Sequence, residues 1–276
     1  MKNLIKLTDL SVGEIEKLYT LVDGIKAGEY RDLLKDKTVV LFFPESSIRT
    51  RVTFEKGVRL LGGQTILFPP ETLDKREDPA DVMGYLNNWA DLVIVRHKKI
   101  EVIEALAESA HVPVINAMTS INHPCEILTD LYALSKIRKD FKKDNFLFVG
   151  TDGNIGRTWA EASALFGFSL EQCCAKGYEL PGIKTYDNIE EAIAGKDIVC
   201  TDSLPSEALA VFEKCRVTKE IMDKANDGAI LNPCPPFYRG EEVSADVIAS
   251  DYFAGYGFKK HLLEVQQAIM AYCLME

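Results

Sequence analysis

The chain has no apolar run long enough to cross a bilayer, and Met1-Lys2-Asn3-Leu4 opens without the apolar core of a secretion signal. It has no block of basic residues, and its net charge is −10. Neither nucleic acid nor a membrane is therefore an expected partner. None of its seven cysteines stands in Cys-x-x-Cys spacing, and seven is an odd number. That argues against a disulfide framework or a zinc site and for reduced thiols in the cytoplasm. No repeat at solenoid spacing is present. With these classes set aside, 276 residues of ordinary hydrophobic and charged content suit two globular domains.

What is present is alternation. Apolar stretches at 38–43, 64–68, 91–95 and 112–116 read as buried parallel strands, as do 145–149, 169–173, 197–201 and 229–231. Helical spacing fills the gaps, beginning with the capping box Ser11-Val12-Gly13-Glu14 ahead of Ile15, Leu18, Tyr19 and Val22. The expected fold is α/β, with two doubly wound parallel-sheet domains. The polar segment Asp140-Phe141-Lys142-Lys143-Asp144 divides them into 1–139 and 140–257. An amphipathic helix over 258–276 is expected to return to the first domain. Ligands of such sheets bind beyond the carboxyl ends of the strands, so residues there carry the chemistry.

The first strand runs into Phe43-Pro44-Glu45-Ser46-Ser47-Ile48-Arg49-Thr50-Arg51 and then a helix. A helix start has spare backbone donors and a positive dipole end, which suits a phosphate. Arg49 adds a planar fork of donors. Arg51 cannot share its face and is expected in a structural ion pair. Arg96-His97 ends the third strand, either as a solvent anchor or as a second clamp on an anion. His123-Pro124-Cys125-Glu126 opens a helix in directions too divergent for a metal. Gly150-Thr151-Asp152-Gly153-Asn154-Ile155-Gly156 only superficially resembles a dinucleotide turn. Its spacing is off pattern, and no acid ends the next strand. Asp202, past the seventh strand, reads as a strand-end turn with a helix cap at Ser206, or as a carboxylate set for a cationic amine.

Ser47-Ile48-Arg49-Thr50-Arg51 resembles the Ser-Thr-Arg-Thr-Arg carbamoyl-phosphate loop of the aspartate/ornithine carbamoyltransferase family, with Ile48 where Thr is usual. His123-Pro124-Cys125-Glu126-Ile127-Leu128-Thr129-Asp130 is similar to the family's His-Pro-x-Gln-x-Leu-x-Asp, with Glu126 for Gln. A carboxylate there accepts from an NH₂ group but repels a phosphate dianion, whereas a protonated acid imitates the amide. Asn232-Pro233-Cys234-Pro235-Pro236-Phe237-Tyr238-Arg239-Gly240-Glu241-Glu242-Val243 is similar to the family's His-Cys-Leu-Pro-x-x-Arg-Gly-Glu-Glu-Val, with Asn232 and Pro233 breaking the first part. Thr201-Asp202-Ser203-Leu204-Pro205-Ser206 is similar to the ornithine-type Thr-Asp-x-Trp-x-Ser, with Leu204 for Trp, and the usual Ser-Met-Gly ending is missing because Glu207 follows Ser206.

The resemblance implies a carbamoyltransferase of amino-acid and arginine metabolism that needs no cofactor. Carbamoyl phosphate would meet Ser47, Ile48, Arg49, Thr50, Arg96, His123, Glu126, Cys234 and Pro235. Lys75 would arrive from a neighbouring subunit of a homotrimer with shared sites. Arg96, His123, Thr50 and Arg239 would be catalytic. Asn154, Arg157, Asp202 and Ser206 would hold an acceptor, ornithine or a related diamino acid. The alternatives are aspartate through Arg157, another amine, or a paralogue that binds phosphate without turnover.

Overall fold

The computed structural model describes residues 2–275. The chain divides into two compact units. One runs to Ala133 and resumes at Lys259, and the other is Leu134–Phe258.

The first unit holds α1 (Val12–Lys26), β1 (Thr38–Phe42), α2 (Ile48–Leu60), β2 (Gln64–Phe68), α3 (Pro79–Leu86), β3 (Leu92–Arg96), α4 (Ile100–Glu108) and β4 (Val114–Met118). It also holds most of α5 (Pro124–Ile137) and all of α10 (Leu262–Met275). Its strands form one parallel sheet in the order β2-β1-β3-β4. β1 and β3 are almost wholly apolar because helices cover both faces of a parallel sheet. On one face Val40, Phe42, Val93 and Val95 meet Met83 of α3 and Ile103 and Leu106 of α4. Elsewhere in the unit α10 packs against α1 and α2. Gly57 permits a close approach there, since a Cβ on it would lie 3.1 Å from Gln267 Cγ.

The second unit holds β5 (Asn145–Val149), α6 (Asn154–Phe166), β6 (Ser169–Cys173), β7 (Lys184–Tyr186), α7 (Ile189–Ala192), β8 (Ile198–Thr201), α8 (Lys219–Met222), β9 (Ile230–Pro233) and α9 (Ala245–Ile248). All five strands are parallel, in the order β7-β6-β5-β8-β9. Leu147, Val149, Val199 and Leu231 join Ile193, Phe212, Val217 and Val247 in one core. An aromatic cluster joins β5 to α6 and the turn before β6, with Phe146 stacked on Phe168 at 4.2 Å and tilted on Trp159 at 5.6 Å.

Both sheets thus have a point where the strand order reverses, between β1 and β3 and between β5 and β8. At such a point the loops leaving two adjacent strands diverge to opposite faces and leave a crevice at the carboxyl ends. Some details differ from expectation. β7 is an extra strand of three residues. β9 continues to Pro233, which an edge strand tolerates because Pro has no N–H to offer a neighbour. No helix starts at Ser206, because 206–211 forms successive turns. The closing helix begins at Leu262 after a 3-10 turn, Phe258–His261.

Candidate active site

In the first unit the reversal between β1 and β3 is bridged by side chains. Ser47, the residue before α2, is buried, yet its hydroxyl does not cap the helix. It accepts instead from Nη1 of Arg96, the last residue of β3, at 3.0 Å. Thr50 is buried beside it in the first turn, while Arg49 and Ile48 face solvent, Ile48 being 69% exposed. Arg51 turns back to pair with Glu55 at 2.6 Å, one helical turn on. The crevice therefore presents a helix start, a hydroxyl oriented by a guanidinium, and a second guanidinium at its lip.

His123 stands on the turn from β4 into α5. A buried polar network fixes that turn. Asn116 Nδ2 donates to Asn122 Oδ1 at 2.7 Å, and Thr119 Oγ1 donates to the same oxygen at 2.7 Å. Asn116 and Asn122 both donate to the Ile5 carbonyl. The His123 imidazole is pushed down to about 4, first by burial and then by the nearby Arg96 and Lys259 charges, against the pull of Glu126. It is therefore neutral near pH 7, the form that donates one hydrogen bond without carrying charge.

Glu126 lies in the first turn of α5 and is buried. Burial pushes its carboxyl up, but Lys259, His123 and Arg49 together outweigh burial and hold it below its ordinary value. Lys259 Nζ sits 2.7 Å from Glu126 Oε1 and 2.6 Å from Asp130 Oδ1. The carboxylate is thus ionised and compensated. The protonated, amide-like form weighed from the sequence does not describe it. Cys125 is buried with its thiol pushed far up by that burial, so it is no nucleophile. Lys75 is exposed on the loop after the 3-10 turn Pro70–Asp74, which His97 ties down through Asp74 at 3.3 Å.

In the second unit the reversal lies between β5 and β8. Asp202 follows β8, its N–H donating to the Val149 carbonyl of β5 at 3.3 Å and its Oδ1 accepting from Ser203 N–H at 2.9 Å. A Cβ on Gly153 would stand 3.9 Å from Asp202 Oδ2, so this carboxylate looks onto the β5–α6 turn. Asn154 sits on that turn and accepts from Ile155 N–H at 2.8 Å. The glycines there serve packing. Cβ atoms on Gly150 and Gly156 would meet the Phe148 ring at 2.8 and 2.6 Å. This accounts for spacing that departs from a dinucleotide fingerprint. The Arg157 guanidinium, expected to be open to an acceptor carboxylate, is engaged bidentately by Asp152 at 2.6 and 2.7 Å.

Ser206 is exposed, while Leu204 packs on the unit's core. Cys234 and Pro235 follow β9, where Cys234 N–H donates to the Thr201 carbonyl at 2.9 Å. The Pro235–Pro236 bond is cis, in the loop where sequence made one plausible. Arg239 is exposed and stacks 5.4 Å from the Phe237 ring centre, on a turn anchored by Tyr238 N–H donating to buried Glu242. Among the first-unit candidates Ser47 is bonded to Arg96, and His123, Glu126, Arg96 and Arg49 feel one another's charge, whereas Ile48 and Lys75 face solvent. Asn154, Asp152, Arg157 and Asp202 gather at the second reversal.

Sequence reasoning missed the Asn116, Thr119 and Asn122 network and Lys259. The Asn-x-x-Thr spacing before a His-Pro helix start was the one available signal for the network.

Comparison with known proteins agrees over nearly the whole chain. The family description "Aspartate/ornithine carbamoyltransferase, carbamoyl-P binding domain" matches residues 2–136. Its partner, "Aspartate/ornithine carbamoyltransferase, Asp/Orn binding domain", matches 142–273. An ornithine carbamoyltransferase of Syntrophotalea carbinolica is 31% identical over 296 positions, covering 98% of each chain. The ornithine carbamoyltransferase structure of Burkholderia thailandensis superposes with a TM-score of 0.91 at 29% identity, over 100% of this chain and 99% of that one. The Pyrococcus furiosus enzyme gives 0.93 at 25% identity, over 99% and 97%.

Proposed function

The chain belongs to the aspartate/ornithine carbamoyltransferase family, and from that premise we propose that it moves the carbamoyl group of carbamoyl phosphate to an amine of ornithine or a related diamino acid. Residues 1–139 with 258–276 form the donor domain in this reading, and 140–257 the acceptor domain.

The α2 start, with Ser47, Arg49 and Thr50, holds the phosphate. Arg96 and His123 donate to the carbamoyl oxygen. An uncharged amine nitrogen attacks the carbamoyl carbon, and the resulting oxyanion is stabilised by donors already in position. The carbon–oxygen bond to phosphate then breaks, and phosphate leaves with the proton lost by the amine. Glu126 accepts from the carbamoyl NH₂. The observation that carries the reading is the Arg96–Ser47 bond at 3.0 Å, which ties the two strand ends of the first reversal into one oxyanion- and phosphate-binding corner.

Asn154, Asp202 and Ser206 hold the acceptor. Asp202 favours a diamino acid, whose second ammonium it can pair with. Aspartate is disfavoured because Asp152 already occupies the Arg157 fork. A homotrimer belongs to the same reading. Ile48, Val52, Ile66 and Phe68 are large apolar residues left exposed on α2 and the edge strand β2, and such surfaces mark contacts between chains. Lys75, exposed on its tied-down loop, then serves a neighbour's site. A cytoplasmic location rests on the cysteine pattern alone.

The test is phosphate release from carbamoyl phosphate across a panel of amines. Ornithine or another diamino acid is expected to support turnover, and aspartate to support little. Arg49→Ala is expected to abolish turnover while the protein stays folded. Retained activity in that variant, or silence with every amine, counts against the reading.

A further inference from the structure

Glu126 and Asp130 are one helical turn apart on α5 and both are buried. Two carboxylates at that spacing repel each other and each loses hydration, so neither is expected to stay ionised without a counter-charge. The counter-charge comes from far along the chain. Lys259 is the residue at which the chain re-enters the first unit, and its ammonium lies between Glu126 Oε1 and Asp130 Oδ1 at 2.7 and 2.6 Å. The three side chains are 7%, 2% and 17% exposed for Glu126, Asp130 and Lys259.

His123 ahead of α5, Cys125 of α5 and Arg49 of α2 also bear on Glu126, Arg96 of β3 acts on His123, and Tyr19 of α1 faces Asp130. The site thus holds an acidic residue where a neutral amide would serve, next to the place of a phosphate dianion, together with one buried lysine that cancels its charge.

We propose that Lys259 is a positioning residue of the carbamoyl-phosphate site. It neutralises Glu126 and occupies Oε1, so that Oε2 is presented as an uncompetitive-with-phosphate acceptor for the carbamoyl NH₂ group. This rests on the functional reading above and extends it to a residue outside the strand-end motifs. Without Lys259, Glu126 has two states, and only the protonated one admits the donor. Ionised, it repels the donor phosphate. Protonated, it recovers an amide-like shape, but only as the pH falls.

The test compares wild type, K259M, E126Q and the K259M/E126Q pair by the KM for carbamoyl phosphate, with unfolding followed in parallel. Wild-type turnover checks the underlying reading, and an inactive wild type would defeat that reading rather than the role of Lys259. With an active wild type, K259M is expected to raise the KM for carbamoyl phosphate about tenfold or more, as loss of one partner of a buried pair does. The acceptor KM should move much less. Taken as a ratio to wild type at each pH, which cancels titration of the substrate, the K259M defect should shrink as the pH is lowered. E126Q in the K259M background should recover most of the lost affinity and remove that pH dependence.

Two results overturn the role. One is a folded K259M with wild-type KM at every pH. The other is a K259M/E126Q protein no better than K259M, which would mean that the Glu126 charge is not what Lys259 cancels for the donor. If K259M does not fold, K259Q, one bond shorter but still carrying two N–H donors and no charge, takes its place, and the same rise and pH dependence are expected. Failure of both single variants to fold, with a folded double variant of unchanged KM, marks the lysine as purely structural and also overturns the role.

Discussion

The two strand-order reversals solve the same geometric problem with different materials. Between β1 and β3 the turn has no glycine, and its shape is held by charge and hydrogen bonding, with Arg96 reaching across to Ser47. Between β5 and β8 the turn has three glycines, Gly150, Gly153 and Gly156. Two of them are pressed onto Phe148, and Arg157 is paired locally with Asp152. The first has two arginines, Arg49 and Arg96, at a helix start. The second has the Asp202 carboxylate near the β5–α6 turn, and its arginine is paired with Asp152. A donor that is a dianion and an acceptor that carries an ammonium would each find the complementary side.

The comparison breaks most visibly at Arg96. Truncation removes the partner that orients Ser47 and, in the proposed reading, a donor to the developing oxyanion, so Arg96→Ala should lower kcat by about 10²–10³. The acceptor KM should stay near its original value. Steady-state rates with both substrates varied would show this, and a loss confined to acceptor KM would mean that the charged corner has been assigned to the wrong ligand.

His123 gives a second break, read as stability rather than rate. Its folded-state value of about 4 lies below the ordinary 6.5. Between those values the unfolded chain binds the extra proton and the folded one does not, so unfolding free energy falls as the pH drops through that window. The contribution is intact above about pH 6.5 and, at most, about 3 kcal/mol is lost by pH 4. H123N should lack this component. Denaturant melts of both proteins at several pH values would expose it as a difference in slope, and parallel slopes would contradict a buried neutral imidazole.

The motifs at both reversals were legible in sequence because each is local. A strand, a short turn with Ser, Arg or Asp, and a helix start are contiguous, and their physics is that of helix ends. The strands were legible within about two residues for the same reason. What was not legible is non-local. Lys259 and Glu126 are 133 residues apart, and no pattern in either neighbourhood names the other. The Asn116–Asn122 network looks like ordinary turn composition until the Ile5 carbonyl arrives from the N-terminal segment. Arg157 has the same sequence appearance whether it faces a ligand or Asp152, because a five-residue spacing across a helix start depends on the turn's geometry. β7 escaped because three half-polar residues carry no periodicity.

The acceptor side is sharpened by Asp202→Asn. The substitution keeps the shape and hydrogen bonding and removes only the charge. A charge-assisted bond of about 1.5–3 kcal/mol corresponds to a rise in acceptor KM of roughly ten- to a hundredfold. The KM for carbamoyl phosphate should not change. If a diamino acid and its singly charged counterpart suffer equally, Asp202 is not reading the second ammonium.

The smallest effect tests whether the second reversal is held by packing. Gly156 lies in the first turn of α6, where replacing Gly by Ala in an open position gains up to about 1 kcal/mol from helix propensity. Gly13, in the first turn of α1 with nothing within 4 Å of its Cβ position, is such an open position, so Gly13→Ala should stabilise slightly. At Gly156 the added methyl would sit 2.6 Å from the Phe148 ring, which belongs to the sheet and is fully buried. Overpacking of that kind costs about 1–3 kcal/mol and should outweigh the propensity gain, lowering the unfolding midpoint where Gly13→Ala raises it. Trimming the ring in a Gly156→Ala/Phe148→Leu protein should return part of the loss relative to Phe148→Leu alone. Non-additivity of that sign is the mark of two groups in contact, whereas simple additivity would mean that Phe148 does not hold the turn.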